Sequence, residues 1–272
     1  MSEQAVKTIF RKDYKPVGFV LNSVDLTFEL HDEFAIVINK MHLKNLGHVQ
    51  PLELYGDELE LLEIKLNDEP LSEKSYVLSD DSLILDKSPD EFYLEIKTKI
   101  YPQKNMQLSG LYRSNGMFCT QCEADGFRRI TYFLDRPDVL SKYTTKIIAD
   151  KQKYPVLLSN GNPVDSGELD GGKHWVTWQD PFKKPSYLFA LVAGDLVHIE
   201  DKFITQSKRE ITLKIFVEKG NEKLCDHAMI SLKKSMKWDE EVYGREYDLD
   251  IFMIVAVSDF NMGAMENTGL NL

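Results

Sequence analysis

Basic residues are in short supply. Lys and Arg number 33 against 44 Asp and Glu, which leaves a formal net charge of −11. Phosphate binding needs clustered Lys and Arg, so a nucleic-acid partner is excluded, and an anionic membrane surface suits the chain no better. The acidic excess reads as solubility. Cysteine is scarce too: Cys119, Cys122 and Cys225 are all there is. Three thiols make no disulfide framework and fit a reducing compartment, so the cytoplasm is expected. Long apolar runs are absent. The longest, Ile251 to Val257, is far too short to span a bilayer. Met1 to Tyr14 has neither the apolar core nor the cleavage site of a secretory leader. No repeat or low-complexity tract interrupts the chain.

What remains is ordinary globular material, 272 residues with 43% hydrophobic and 28% charged, enough for one or two domains. The first 190 residues or so are patterned as β. Val24, Leu26, Phe28 and Leu30 alternate with polar residues; His31-Asp32-Glu33 turns the chain; Phe34, Ile36 and Ile38 resume it as a hairpin. Phe92, Leu94, Ile96 and Ile100 mark another half-buried strand. Shorter ones are predicted over Leu59–Leu66, Tyr76–Leu78, Leu83–Leu85 and Trp175–Trp178, the last ending before Pro181. Gly161-Asn162-Pro163 and Asp170-Gly171-Gly172 are turn signals, and Arg136-Pro137-Asp138 a short helical turn. Short strands in this rhythm predict an antiparallel β-sandwich or saddle.

The pattern changes near Gly194-Asp195. Ile211–Val217 is a predicted strand, and Leu224–Val242 a helix. Ala228, Leu232, Ser235, Met236 and Trp238 share its helical spacing, and Gly244 takes the C-terminal cap. Leu249–Val257 follows as a near-continuous apolar strand, expected to be buried on both faces. Two domains are predicted, residues 1–195 all-β and 196–272 an incomplete α+β unit.

Two blocks carry chemistry. Asn261-Met262-Gly263-Ala264-Met265-Glu266-Asn267 sets one carboxylate among small and unbranched residues, where an exposed strand edge would pair with an extended peptide. Gln121 and Glu123, two apart, would share a strand face and offer an amide and a carboxylate to an ammonium group. Cys119 and Cys122 form a lone C-x-x-C. A structural zinc needs four ligands, and an extended chain would point these two to opposite faces, so they are read as small apolar fillers.

Gly263-Ala264-Met265-Glu266-Asn267 resembles the G-A-M-E-N exopeptidase signature of the aminopeptidase N family, the thermolysin-like zinc aminopeptidases. Gly116 to Ala124 resembles the segment lining the N-terminal pocket in that family, and the blocks stand in the family's order. The likeness runs from about Gly18 to Leu272 and is strongest to bacterial members. It implies a β-saddle domain followed by the start of a thermolysin-like catalytic domain. It implies that Gln121 and Glu123 line the substrate's N-terminal pocket, Glu123 and Glu266 converging on the α-ammonium group. It also implies that Gly263, Ala264 and Met265 bind the substrate backbone, with Asn267 beside them, and that Met262 is an adaptable pocket wall.

The family's zinc motif, H-E-x-x-H, has no counterpart. His31, His42, His48, His174, His198 and His227 include no pair at i and i+4. In the family that motif lies downstream of the G-A-M-E-N block. The expectation is therefore an N-terminal fragment of a zinc aminopeptidase, with part of the substrate site and none of the zinc ligands or catalytic residues. Its partners would be peptides with a free N-terminus and the rest of the parent polypeptide. A non-catalytic peptide- or protein-binding β-domain is the alternative.

Overall fold

A computed structural model describes residues 10–47 and 51–272. His48 lies outside the described residues. In chain order the strands begin with β1 (Phe19–Leu30), β2 (Ala35–Asn45), β3 (Leu52–Tyr55), β4 (Glu60–Leu66) and β5 (Glu69–Pro70). They continue with β6 (Val77–Leu78), β7 (Ser82–Leu85), β8 (Glu91–Ile100), β9 (Gly110–Ser114) and β10 (Met117–Gln121). Next come β11 (Ser141–Asp150), β12 (Val156–Ser159), β13 (Asn162–Leu169), β14 (Lys173–Lys184) and β15 (Leu191–Gly194). β16 (Val197–Ile204), β17 (Glu210–Val217), helix α1 (Asp226–Tyr243), β18 (Ile251–Val255) and β19 (Leu270–Asn271) close the chain. The protein is mainly β.

An eight-stranded sheet in the order β13-β14-β11-β1-β2-β8-β4-β5 forms the main wall. It is antiparallel except where β1 and β11 run parallel. The sheet β12-β15-β10-β9 shares one hydrophobic core with it, and a small sheet β3-β7-β6 joins the same core. Phe28 of β1 stacks on Phe189, which meets Phe127 edge-on at 5.2 Å between centroids.

The β1–β2 hairpin forms as the alternation predicts, with Val24, Leu26, Phe28 and Leu30 buried. On β2, however, the parity is reversed. Ala35, Val37, Met41 and Leu43 face the core, while Ile36 and Ile38 are only half-buried. Directly paired residues share a face. Phe28 pairs with Val37 and Leu30 with Ala35, so the register overrules the larger isoleucines. Three other expectations need correction. β14 runs through Pro181, which falls where the β11 pairing shifts register, a position that needs no ladder donor. Residues 136–139 form a single turn rather than a helical one, closed by Val139 N–H to Arg136 O. Asn162–Leu169, expected only to start with a turn, is strand β13.

The chain switches sheets between Gly194 and Val197, and the rest builds β16-β17-β18-β19 with α1 packed against it. Because β17 and β18 are parallel, α1 is the crossover between them. Gly244 ends the helix at φ +63, its N–H bonded to the Glu240 carbonyl. The buried stripe of α1 is Met229, Leu232, Met236 and Glu240, whereas Trp238, expected on the apolar face, is half exposed. β18 is shorter than expected and its faces differ. Met253 and Val255 enter the main core, while Phe252 and Ile254 are half-buried on the side of α1. No helix among the described residues is long and apolar enough to cross a membrane.

Candidate active site

The first motif block sits on a tight hairpin. Asn115 and Gly116 both have positive φ, the conformation an Asn-Gly turn supplies between β9 and β10. All five residues of β10 are buried, and the strand stops at Gln121. Glu123 is therefore not on the strand face expected of it. It lies in the exposed turn 123–125, and its N–H donates to Gln121 Oε1 at 3.1 Å. The chain turns back at once because Gly126 comes so close to Gln121 that a Cβ there would lie 2.7 Å from its carbonyl oxygen. Gln121 is fully buried, yet its Nε2 has no hydrogen-bond partner. Cys119 and Cys122 are buried as well. Burial lifts the Cys119 thiol to about 12 and Cys122 well above its ordinary value.

The second block is a strap rather than the exposed strand edge expected from its sequence. After β18 the chain docks on the β9–β10 hairpin. Ser114 Oγ donates to Asp259 Oδ2 at 2.8 Å and accepts from Asp259 N–H at 2.9 Å. Tyr112 Oη donates to the Asp259 carbonyl at 2.8 Å. Glu218 accepts from both Asn115 and Ser258, which lowers its carboxyl below the usual range. Asn261 reaches the Leu108 carbonyl at 2.9 Å. Met262, Gly263 and Ala264 are then exposed and outside any strand, and Gly263 has open space where a Cβ would stand. Met265 is buried and exchanges two backbone hydrogen bonds with Leu272. Glu266 is exposed again; Asn267 is buried, donating to the Phe189 carbonyl at 3.2 Å, with its own Oδ1 unpartnered.

These contacts bring the blocks together. Thr120 Oγ1 accepts from Leu191 N–H at 2.9 Å, and Asn267 holds Phe189, two residues away. Two residues of extended chain span about 7 Å. Thr120, the residue before Gln121, and Asn267 are therefore anchored on one short segment although 147 positions apart in sequence. Gln121 and Asn267 each leave a buried amide atom unpaired, and the exposed Glu123 and Glu266 lie within two residues of them in sequence. Buried polar atoms are rarely left without partners. Sequence reasoning missed the anchors Ser114, Asp259 and Asn160; the turn signal Gly161-Asn162-Pro163 starts one residue past Asn160. A separate groove of about 800 Å³ between β16 and α1, lined by Ile199, Phe203, Met229 and Ile230, contains none of the motif residues.

Among the described residues no three His, Cys, Asp or Glu side chains come together. His42 lies on Glu91 at 2.9 Å, His174 bonds the Tyr154 carbonyl, and His227 neighbours Ser231.

A β-wall, an α/β start and a strap that joins the two motif blocks define a class, and the chain belongs to the M1 peptidase family. Residues 21–188 match the peptidase M1 N-terminal domain and residues 227–272 the peptidase family M1 domain. The chain is similar to aminopeptidase N of Caulobacter vibrioides, with 53% identity, and of Escherichia coli, with 52%, over 96% and 97% of its length. It spans about 30% of the length of either relative. The crystal structure of Legionella pneumophila aminopeptidase A in complex with aspartic acid superposes with a TM-score of 0.92 at 37% identity. That match covers 96% of this chain and 31% of the other.

Proposed function

We propose that this chain is the part of a zinc aminopeptidase that recognises the free N-terminus of a peptide. Glu123 and Glu266 hold the α-ammonium group, while Gln121 Nε2 is left as a donor for a substrate carbonyl and Asn267 Oδ1 as an acceptor. Gly263 and Ala264 lie along the substrate backbone, Met265 holds them there through its two backbone bonds to Leu272, and Met262 forms an adaptable wall. The observation that carries this reading is the meeting of the two motif blocks on Phe189–Leu191, with Gln121 Nε2 buried and unpaired. A peptide offering an amide in place of the ammonium would leave the carboxylates without a counter-charge, so internal bonds are poor substrates.

Zinc, if it serves the whole enzyme, polarises the scissile carbonyl and activates water. Its ligands and the general base are assigned to the rest of the parent polypeptide, and no hydrolytic step is assigned to a residue of this chain. We place the domain boundary after Asp195, supported by the change of sheet there. We place the protein in the cytoplasm, on the strength of three buried, unpaired cysteines.

Calorimetric titration with a short peptide and its N-acetylated twin tests the reading. The free peptide binds and the acetylated one does not, and Glu266→Gln weakens the former about tenfold or more without lowering Tm. Equal affinity for both peptides, unchanged in the variant, would sink the assignment.

A further inference from the structure

The strap is held at two ends by different chemistry. At its front, Asp259 is locked into β9 by Ser114 and Tyr112. At its rear, beside the bond from Asn267 itself to the Phe189 carbonyl, the lock is Asn160, in the turn between β12 and β13. Asn160 is buried, and its amide is fully used. Nδ2 donates to the Leu188 carbonyl at 3.0 Å and to the Thr268 carbonyl at 2.9 Å, while Oδ1 accepts from Ala190 N–H at 2.7 Å. One side chain thus ties the residue just past Asn267 to the segment on which Thr120 and Asn267 are anchored. The neighbouring backbone is equally tight, with Gly161 N lying 3.2 Å from where a Gly269 Cβ would be.

We propose that Asn160 is the positioning residue of the 262–267 strap. It sets the height of Glu266 and Asn267 above Phe189–Leu191 and touches no substrate itself. Its importance for binding rests on the reading of the strap as substrate-facing, but its action on the strap does not. An amide is required at this position: a carboxylate would keep the Ala190 acceptor and lose both donations.

Amide hydrogen exchange in the full chain tests this without any ligand. Met265 and Leu272, bonded to each other, report on the strap, and the β1–β2 amides report on the fold. In Asn160→Ala and Asn160→Asp, Met265 and Leu272 exchange about tenfold faster or more, while β1–β2 stays as in the wild type. In Asn160→Asp the Ala190 amide keeps its protection. Unchanged exchange at Met265 and Leu272 overturns the proposal. So does a uniform acceleration that includes β1–β2, or failure of both variants to fold, since either makes Asn160 a general stability residue. Peptide titration of the same variants separates the two readings. A loosened strap with unchanged affinity upholds Asn160 as its positioner and removes the strap from N-terminus recognition.

Discussion

Replacing Asp180 by Asn removes the counter-charge from a buried lysine. Lys184 Nζ sits 2.8 Å from Asp180 Oδ2, with side-chain exposures of 4% and 0%, and 4.3 Å from the centre of the Tyr143 ring. Asp180 Oδ1 also accepts from Phe182 N–H, a bond an asparagine oxygen can retain. Losing one partner of such a pair costs about 3–5 kcal/mol, because the remaining charge has no water to turn to. Lys184→Met should cost a similar amount. The double variant, with no charge left to strand, should fall short of the sum by about 1–3 kcal/mol. Guanidinium denaturation followed by far-UV circular dichroism measures all four free energies. The pH dependence is a second check. Burial outweighs Asp180 and lowers the Lys184 amine from 10.5 to about 8. Between those values the unfolded chain carries the extra proton, so the lysine's cost is full below pH 8 and is relieved as pH rises through that window. Without Asp180 the amine falls further and its relief begins at lower pH. The gap between wild type and Asp180→Asn should therefore narrow as pH rises towards 8 and stay constant above it. Single variants within about 1 kcal/mol of wild type, or a gap that ignores pH between 6 and 8, would refute the argument.

Gly161→Ala should cost about 2–5 kcal/mol, read as a lowered urea midpoint. Its φ is +89, and a Cβ would lie 2.1 Å from the Gln179 carbonyl oxygen, backbone that cannot step aside; a change below 0.5 kcal/mol, on the order of surface substitutions, would contradict this. Thiol titration with an aromatic disulfide near pH 8 should leave Cys119 and Cys122 unmodified in the native protein and modify both in denaturant. Burial holds them as thiols, and only the thiolate reacts. Rapid native modification of either would show that β10 opens readily.

How much was legible depended on whether neighbours in sequence decide the outcome. Val24 to Leu30 and Phe92 to Ile100 alternate cleanly, so their inward faces could be read directly. Gly244 was legible as a cap because a left-handed residue after a helix is a local demand. β11 was missed because polar Thr145 on its inward face and apolar Ile148 on its outward face break the alternation of Tyr143, Ile147 and Ala149. On β2 both parities are apolar, and nothing local separates Val37 from Ile36. At the site, the types and order of residues in both motif blocks were legible. The turn that takes Glu123 off the strand was not, because it depends on Gly126 closing against the Gln121 carbonyl.

The sequence by itself determined the β-rich class, the hairpin signals, the long helix after β17 and the motif residues with their chemistry. Those follow from side-chain period, backbone preference and residue type, all short-range properties. Tertiary structure alone decided that β1 and β11 lie parallel, that Ser114 grips Asp259 across 145 positions, and that Asn160 reaches Thr268 across 108. Hydrogen bonds between such distant groups exist only once the two sheets have packed on a common core, and it is that packing which turns two separate motifs into one site.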